Sequence, residues 1–539
     1  MPYSRKNKVN KTVTPKIEFT TINLNNKDYR IPKFLENKLI YNPDKCELHI
    51  SSDTNIEPII FANSEILDLL MNELSELEHN SKATPSIIQT MNVSTLPGVA
   101  GSFAMPDAHS GYGFSIGGVA AFDLTNKDAV ICPGGVGYDI NCGVRLLKTD
   151  LMIDDLTNKS ELADQLFKTI PCGVGQKSKM VLSDDELTDV LLHGMNYLVD
   201  KGMCPKEDLE SCEENGNIAL TENELKDISA TALAKGKDQL GTLGSGNHYL
   251  EVQYVDEIYD DEAAKVMGID KPGQICVMIH TGSRGLGYQI CEDYIYKYMH
   301  LCSDQSDPNL KYEDIDSDSI KKFVDKQLIG VPFYSEAGQE YYNCMRAAAN
   351  YAFANRSMIS HLTRQVFKEL YPNCGEMPLV YDVCHNIAKI EEYRDSKSGE
   401  MHKYIVHRKG ATRAFPAHHP QVPSKYQAIG QPVIIGGSMG TCSYVLVGTD
   451  SAIEKSFGST CHGAGRKLSR TKAKNDIPVK KVLQGMKDKG IEFRIVNPKG
   501  ASEECDEAYK DVSEVIETCE QAGISKKVIK LKPLITIKG

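Results

Sequence analysis

The chain has 539 residues, of which 41% are hydrophobic, 25% charged and 7% aromatic, enough apolar material for a large buried core; a small stapled scaffold and wholesale disorder are excluded. Sixty-one basic against 73 acidic residues give a formal charge of −12, so the field of the whole molecule does not capture nucleic acid, and such a partner must meet a local basic surface. The longest apolar runs, Gly117 to Phe122 and Pro432 to Ile435, fall far short of the roughly 20 residues that span a bilayer, and no membrane crossing is expected.

Met1 to Lys16 is basic and polar with no apolar run behind it, which predicts a flexible, solvated tail, taken as residues 1–22, rather than a secretory signal. Ile66, Leu67, Leu70, Leu74 and Leu77 then follow helical spacing after Asn63-Ser64, whose side chains can accept from first-turn amides. Short β-type runs follow at Ile275 to Ile279, Leu379 to Val383, Val433 to Ile435 and Tyr444 to Val447, each bounded by turn residues and expected in the interior. Acidic, turn-rich stretches near 201–228 and 303–318 are expected as surface insertions. Length alone would allow three to four domains at about 150 residues each. No repeat or proline-rich linker divides the chain, so it is read as one large α+β unit over 23–539. Sixteen cysteines without Cys-x-x-Cys or a signal peptide imply thiols that are mostly reduced and buried.

The β-type runs end in clusters of glycine and histidine. Glycine lets backbone approach a ligand closely, and converging amides suit phosphate oxygens. His248, His280 and His385 all sit at glycine-flanked strand ends, and Cys132 to Gly143 sets Asp139 three residues before Cys142 in a turn-rich stretch. Together these make a mixed N/O/S site for one or two divalent ions, and ligand softness alone points to zinc. In Leu243 to Glu251 an extended backbone would put Asn247 and Glu251 on one side and His248 on the other, serving two neighbouring subsites. Gly436 to Ser443 has the composition of a phosphate cradle, and Phe457 to Arg466 sets His462 between glycines, where an imidazole could attack phosphorus or serve as a further metal ligand. Two basic stretches, His407 to Arg413 and Arg466 to Lys481, are candidate nucleic-acid contacts or solvated faces.

Met105 to Gly113, Pro133 to Gly143, Gly241 to Glu251, His280 to Gly287, Val406 to Pro416 and Ser459 to Leu468 resemble the motifs of the RNA-splicing ligase RtcB family, its eukaryotic members most closely, from about Gln89 to Gly539. The resemblance implies a single α+β catalytic domain with mixed sheets around a dinuclear metal centre. It implies joining of an RNA 2′,3′-cyclic phosphate or 3′-phosphate to a 5′-hydroxyl with GTP and Mn²⁺, in tRNA splicing and RNA repair. A metal-dependent phosphoesterase acting on cyclic phosphate ends is the alternative. By the same resemblance Asp139, Cys142 and His248 would hold one Mn²⁺, Cys142, His280 and His385 the second, with manganese replacing the zinc expectation. His462 would be the nucleophile, and Glu251 would accept from guanine. Asn247, His248, His385, Asn386, Gly436, Gly437, Ser438, Met439, Ser443, Gly463, Ala464, Gly465, Tyr509 and Lys538 would complete the nucleotide site. Arg284, Arg408 and Arg413 would meet RNA or phosphate. Implied partners are RNA, with tRNA exon halves foremost, an archease-type activator and the subunits of a eukaryotic tRNA ligase complex, in nucleus and cytoplasm.

Overall fold

The computed structural model describes residues 17–79, 83–303, 328–395 and 398–539. Two sheets carry the architecture. In the larger, of eight strands, the order is Leu379–Cys384, Gly143–Met152, Gln274–Thr281, Tyr249–Ile258, Ser525–Lys538, Ser443–Gly448 and Pro432–Ile435, with Glu492–Ile495 added in parallel to Ser525–Lys538. The other pairings along this path are antiparallel. Register therefore brings many chain segments to one edge: His280 faces both Val144 and Tyr249, Cys384 faces Gly143, and Tyr249 faces Lys538. The second sheet, of seven strands, runs Asn386–Arg394, Met401–Lys409, Ile116–Asp123, Val99–His109, Ile59–Phe61, Glu47–Ile50 and Leu39–Asn42. A short pair, Ala411–Arg413 with Ser459–Cys461, delivers His462.

The four expected β-type runs form strands, all buried, although Leu379–Cys384 and Pro432–Ile435 end the sheet's hydrogen-bonded path. The expected helix spans Ser64–Ser75, with the Asn63 side chain accepting from the Ile66 amide and Ile66, Leu67, Leu70 and Leu74 buried. A 35-residue helix, Glu336–Leu370, runs through the core with Ala347 to Ser360 wholly inside. Among the described residues no helix is long and apolar enough to cross a membrane. Fifteen cysteines are free thiols, and of these all but Cys442 are buried.

Three expectations are corrected. The tail is shorter than 1–22: Phe19–Leu24 pairs antiparallel with Lys27–Pro32, and its Phe19, Ile22 and Leu24 pack on the core. Residues 1–16 lie outside the described residues, as does most of the 303–318 stretch. The acidic stretch 201–228 is not simply a surface excursion. Asp208, Ser211 and Glu213 are buried; Asp208 pairs with Arg364 at 2.8 Å, and Glu213 and Glu214 both accept from Lys389 at 2.9 Å. The third correction concerns His407 to Arg413, which is interior rather than an RNA-facing patch. Arg408 is clamped by both oxygens of Glu391 at 2.7 and 2.8 Å, and Arg413 donates to Glu214 and Gln431. Lys389 and Arg413 in turn hold the Glu214 carboxyl down at about 2. Buried guanidinium groups need such partners, so neither arginine is available to RNA.

Candidate metal centre and nucleotide pocket

The shared sheet edge gathers the five expected metal ligands. Cys142 Sγ lies 3.4 Å from His248 Nε2 and 3.2 Å from His280 Nε2; His280 Nε2 lies 3.2 Å from His385 Nε2, and His248 Nε2 lies 2.8 Å from Asp139 Oδ2. Two ligand sets result, Asp139/Cys142/His248 and Cys142/His280/His385, with the thiol common to both. The ring orientations have causes. His248 Nδ1 is 3.0 Å from the Leu243 carbonyl oxygen, which makes Nδ1 the donor and turns Nε2 inward as a lone pair. Gly282 carries no Cβ because one would stand 2.5 Å from Asp139 Oδ1.

The chemistry of this donor set fits a pair of divalent cations. Burial, reinforced by the neighbouring histidines, drives His280 and His385 well below the usual imidazole range, so both are neutral ligands. Burial and the Asp139 carboxylate raise the Cys142 thiol, a combination that a bound cation reverses by taking the thiolate. Both Asp139 oxygens are buried without an aligned hydrogen-bond donor among the described residues.

Beside the ligands opens a cavity of about 240 Å³. Of the expected nucleotide contacts, Asn247, Glu251, His385, Asn386, Gly436, Gly437, Ser438, Met439, His462, Gly463, Ala464, Gly465, Tyr509 and Lys538 line it. His248 instead belongs to the metal set, and Ser443 stands one step back: its Oγ accepts from Gln253, which also donates to Glu251 Oε2. Gly436 bridges to Gly463, tying the Gly-Ser loop to the His462 segment. Lys538 is no solvated terminal side chain. It is buried, donates to the Gly246 carbonyl at 3.0 Å and lies 3.4 Å from Glu504. Arg284 is partly buried, donates to Thr242 Oγ1 and helps hold Asp139 ionised.

His462 lies beside the candidate metal ligands. Its ring centroid is 4.8 Å from that of His385. Asp107 Oδ2 accepts from His462 Nδ1 at 2.6 Å and also from the backbone amides of His462 and Gly463 at 3.0 and 3.2 Å. A carboxylate at Nδ1 makes that nitrogen the N–H and leaves Nε2 with its lone pair toward the pocket. Burial opposes ionisation of Asp107, but His462 and the amides prevail and hold it below the usual carboxylate range. Gly465, at φ +71°, allows the closest approach, since a Cβ there would meet the Asp107 carbonyl oxygen at 2.1 Å.

Sequence reasoning assigned no role to Asp107, although it stands inside the Met105 to Gly113 motif. Glu504, Arg466 and Arg470 were missed as pocket residues. Burial works against Glu504 ionising, yet Lys538 and Arg466 keep it below its ordinary value. The basic stretch Arg466 to Lys481 does face outward: Lys467, Arg470, Lys472, Lys474, Lys480 and Lys481 are exposed beside the pocket.

Comparisons with known proteins agree with this geometry. A family model described as "tRNA-splicing ligase RtcB" matches residues 89–539. "RNA-splicing ligase RtcB homolog 1" of Entamoeba dispar is 52% identical over all of this chain and 99% of its own length. The Entamoeba histolytica protein of that name is 54% identical, covering 92% of this chain and 94% of the relative, and "RNA-splicing ligase RtcB homolog 2" of E. dispar is 56% identical over 89% and 88%. Identity above one half along nearly the whole length of both partners goes well beyond a shared motif, and this chain belongs to the RtcB tRNA-splicing ligase family.

Proposed function

We propose that this protein is a GTP- and manganese-dependent RNA ligase that joins 2′,3′-cyclic phosphate or 3′-phosphate ends to 5′-hydroxyl ends. tRNA exon halves are the substrate class we put first, in keeping with the family description, tRNA-splicing ligase. The observation that carries the reading is His462, whose Nε2 lone pair is directed by Asp107 beside two candidate ligand sets and a glycine-lined cavity of about 240 Å³. Bound Mn²⁺ ions supply positive charge against the phosphoryl oxygens. Asp139, Cys142, His248, His280 and His385 would hold them. His462 Nε2 attacks the α-phosphorus of GTP in line; an N–P bond forms, the bond to the pyrophosphate oxygen breaks, and pyrophosphate leaves. The guanylyl group then passes to the RNA 3′-phosphate oxygen, which frees His462. The 5′-hydroxyl attacks that phosphorus, loses its proton and expels GMP. Cyclic ends require hydrolysis to the 3′-phosphate first.

With manganese, α-labelled GTP should yield an acid-labile, alkali-stable adduct on the protein, and γ-labelled GTP should yield none. Ring opening of cyclic ends without GTP and without any adduct would instead favour the phosphoesterase.

Glu251 would set base choice. Its oxygens accept from Thr536 at 3.1 Å and Gln253 at 2.7 Å, and each keeps a second lone pair that could take guanine N1–H and the exocyclic amine. Adenine offers no such donor pair, and an unpaired buried carboxylate is costly. Burial raises Glu251 to about 7, against the opposing pull of Gln253, Thr536 and Lys538. Only the ionised form accepts both donors. GTP affinity should therefore be full above pH 7 and fall by roughly tenfold per unit below it, with uptake of protons weakening binding. Titrating GTP binding from pH 5.5 to 8.5 checks this. Glu251→Gln, which cannot ionise, should bind GTP weakly and show no such slope.

A further inference from the structure

Three tyrosines stand together on segments whose neighbouring residues line the pocket, outside the site described so far. Tyr112 is 61% exposed and Tyr288 45%, while Tyr138 is half-buried between them. Tyr138 stacks on Tyr288 with centroids 4.8 Å apart and planes at 25°, and Tyr112 meets Tyr138 edge to face at 6.4 Å and 89°. Lys235 Nζ lies 5.8 Å from the Tyr288 ring centroid.

Each ring comes from a segment that also builds the active site. Tyr112 falls between His109 and Ile116, which both line the pocket; Tyr138 directly precedes Asp139; Tyr288 is one turn beyond Arg284 on the helix Arg284–Ser303. The Tyr112 carbonyl oxygen accepts from Lys409 Nζ at 2.6 Å, so the backbone is anchored while the ring stands outside. Large rings held in solvent contribute little to the core. Joined into a cluster beside a cation, they have the form of a surface for flat, π-rich groups.

We propose that Tyr112, Tyr138 and Tyr288 form a stacking platform for unpaired bases of the RNA strand next to the end being joined. The proposal rests on the ligase reading. Two features favour RNA as the occupant. The cluster is continuous with the reaction site, since an end held at Asp139 leaves its next nucleotides within a residue's length of Tyr138. Lys235 Nζ lies over the Tyr288 ring, a cation beside the stack that matches a phosphodiester backbone. The formal charge of −12 opposes a polyanion at long range, and stacking adds an attraction that does not depend on charge. Every base has a π face, so such a platform tolerates any sequence.

The test uses the full-length protein with Mn²⁺, GTP and single-stranded RNA oligonucleotides bearing 3′-phosphate and 5′-hydroxyl ends. Tyr112→Ala combined with Tyr288→Ala should raise KM for RNA by about 5- to 100-fold. The increase should be similar at low and high salt, because no charge is removed. Tyr112→Phe should restore most of the RNA affinity that Tyr112→Ala loses, since the ring and not the hydroxyl is used. Abasic sugars at the nucleotides nearest the ends should raise KM for the parent and erase its difference from the double variant. If the double variant takes the guanylyl label but keeps KM within roughly twofold of the parent, the platform is overturned. If the parent itself takes no label from GTP, the ligase reading beneath it has failed instead.

Discussion

Asp107→Asn should slow transfer of the guanylyl group to the protein by about 10²–10³-fold while leaving metal content unchanged, and His462→Ala should abolish the transfer. Three N–H groups converge on Asp107 Oδ2: the His462 ring and the amides of residues 462 and 463. The two backbone donors require an acceptor there, so an asparagine would place its carbonyl oxygen at that point and its NH₂ at the Oδ1 position. The tautomer of His462 would survive, and only the negative charge would be lost. In the proposed reaction that charge would matter, because forming an N–P bond at Nε2 would leave the ring with positive charge that a carboxylate stabilises. Lys510 keeps the arrangement in place: its Nζ donates to the carbonyls of Pro106 and Ala108, on either side of Asp107. Burial lowers this amine to about 8. Asp107→Ala should do more damage than Asn, since it also strands two backbone amides. Single-turnover labelling with α-labelled GTP, read with metal analysis of the same samples, separates these cases. Equal rates for Asn and the parent would remove Asp107 from the mechanism.

The candidate metal ligands could be read from the chain because each sits at a recognisable local signal: the three histidines at glycine-flanked ends of β-type runs, Asp139 and Cys142 in a glycine-rich turn stretch. Their convergence then follows from antiparallel register. The long-range partners of His462 and of the buried arginines left no such trace. Asp107 and His462 are 355 residues apart, and Arg413 and Glu214 are 199 apart. Counting charge along His407 to Arg413 suggested a polyanion surface, yet the neutralising carboxylates lie on other elements and turn the stretch into core. The helix Glu336–Leu370 escaped notice for a related reason. Its middle turns, Ala347 to Ser360, are buried on all sides, so no polar stripe marks the period there, and the interior polar residues Asn350, Asn355 and Arg356 disrupt an apolar reading.

That helix supplies the other large effect. Arg356→Met should destabilise the protein by about 3–5 kcal/mol and weaken cation binding by roughly 10- to 100-fold. Arg145, Asp382 and Arg356 form a fully buried triad: Asp382 Oδ2 accepts from Arg145 Nε at 2.7 Å, and Asp382 Oδ1 from Arg356 at 2.8 Å. Arg356 alone reaches further. It donates to the carbonyl of Asn141, between Asp139 and Cys142, at 2.7 Å, and to that of Thr281, beside His280, at 3.0 Å. Asn141 is held at φ +51°, a conformation that costs energy for a side chain other than glycine and persists only under such restraint. Asn355, one residue earlier, serves the third loop by accepting from the Gly241 and Thr242 amides. Arg145→Met is the control, because Arg145 contacts Asp382, Ser360 and Met195 but neither metal-bearing loop. Both variants should lower the denaturant midpoint, whereas only Arg356→Met should weaken Mn²⁺ binding measured by titration under conditions where both remain folded. Equal loss of cation affinity in the two would mean that overall stability, and not the hold on the 141 and 281 carbonyls, keeps the ligands together.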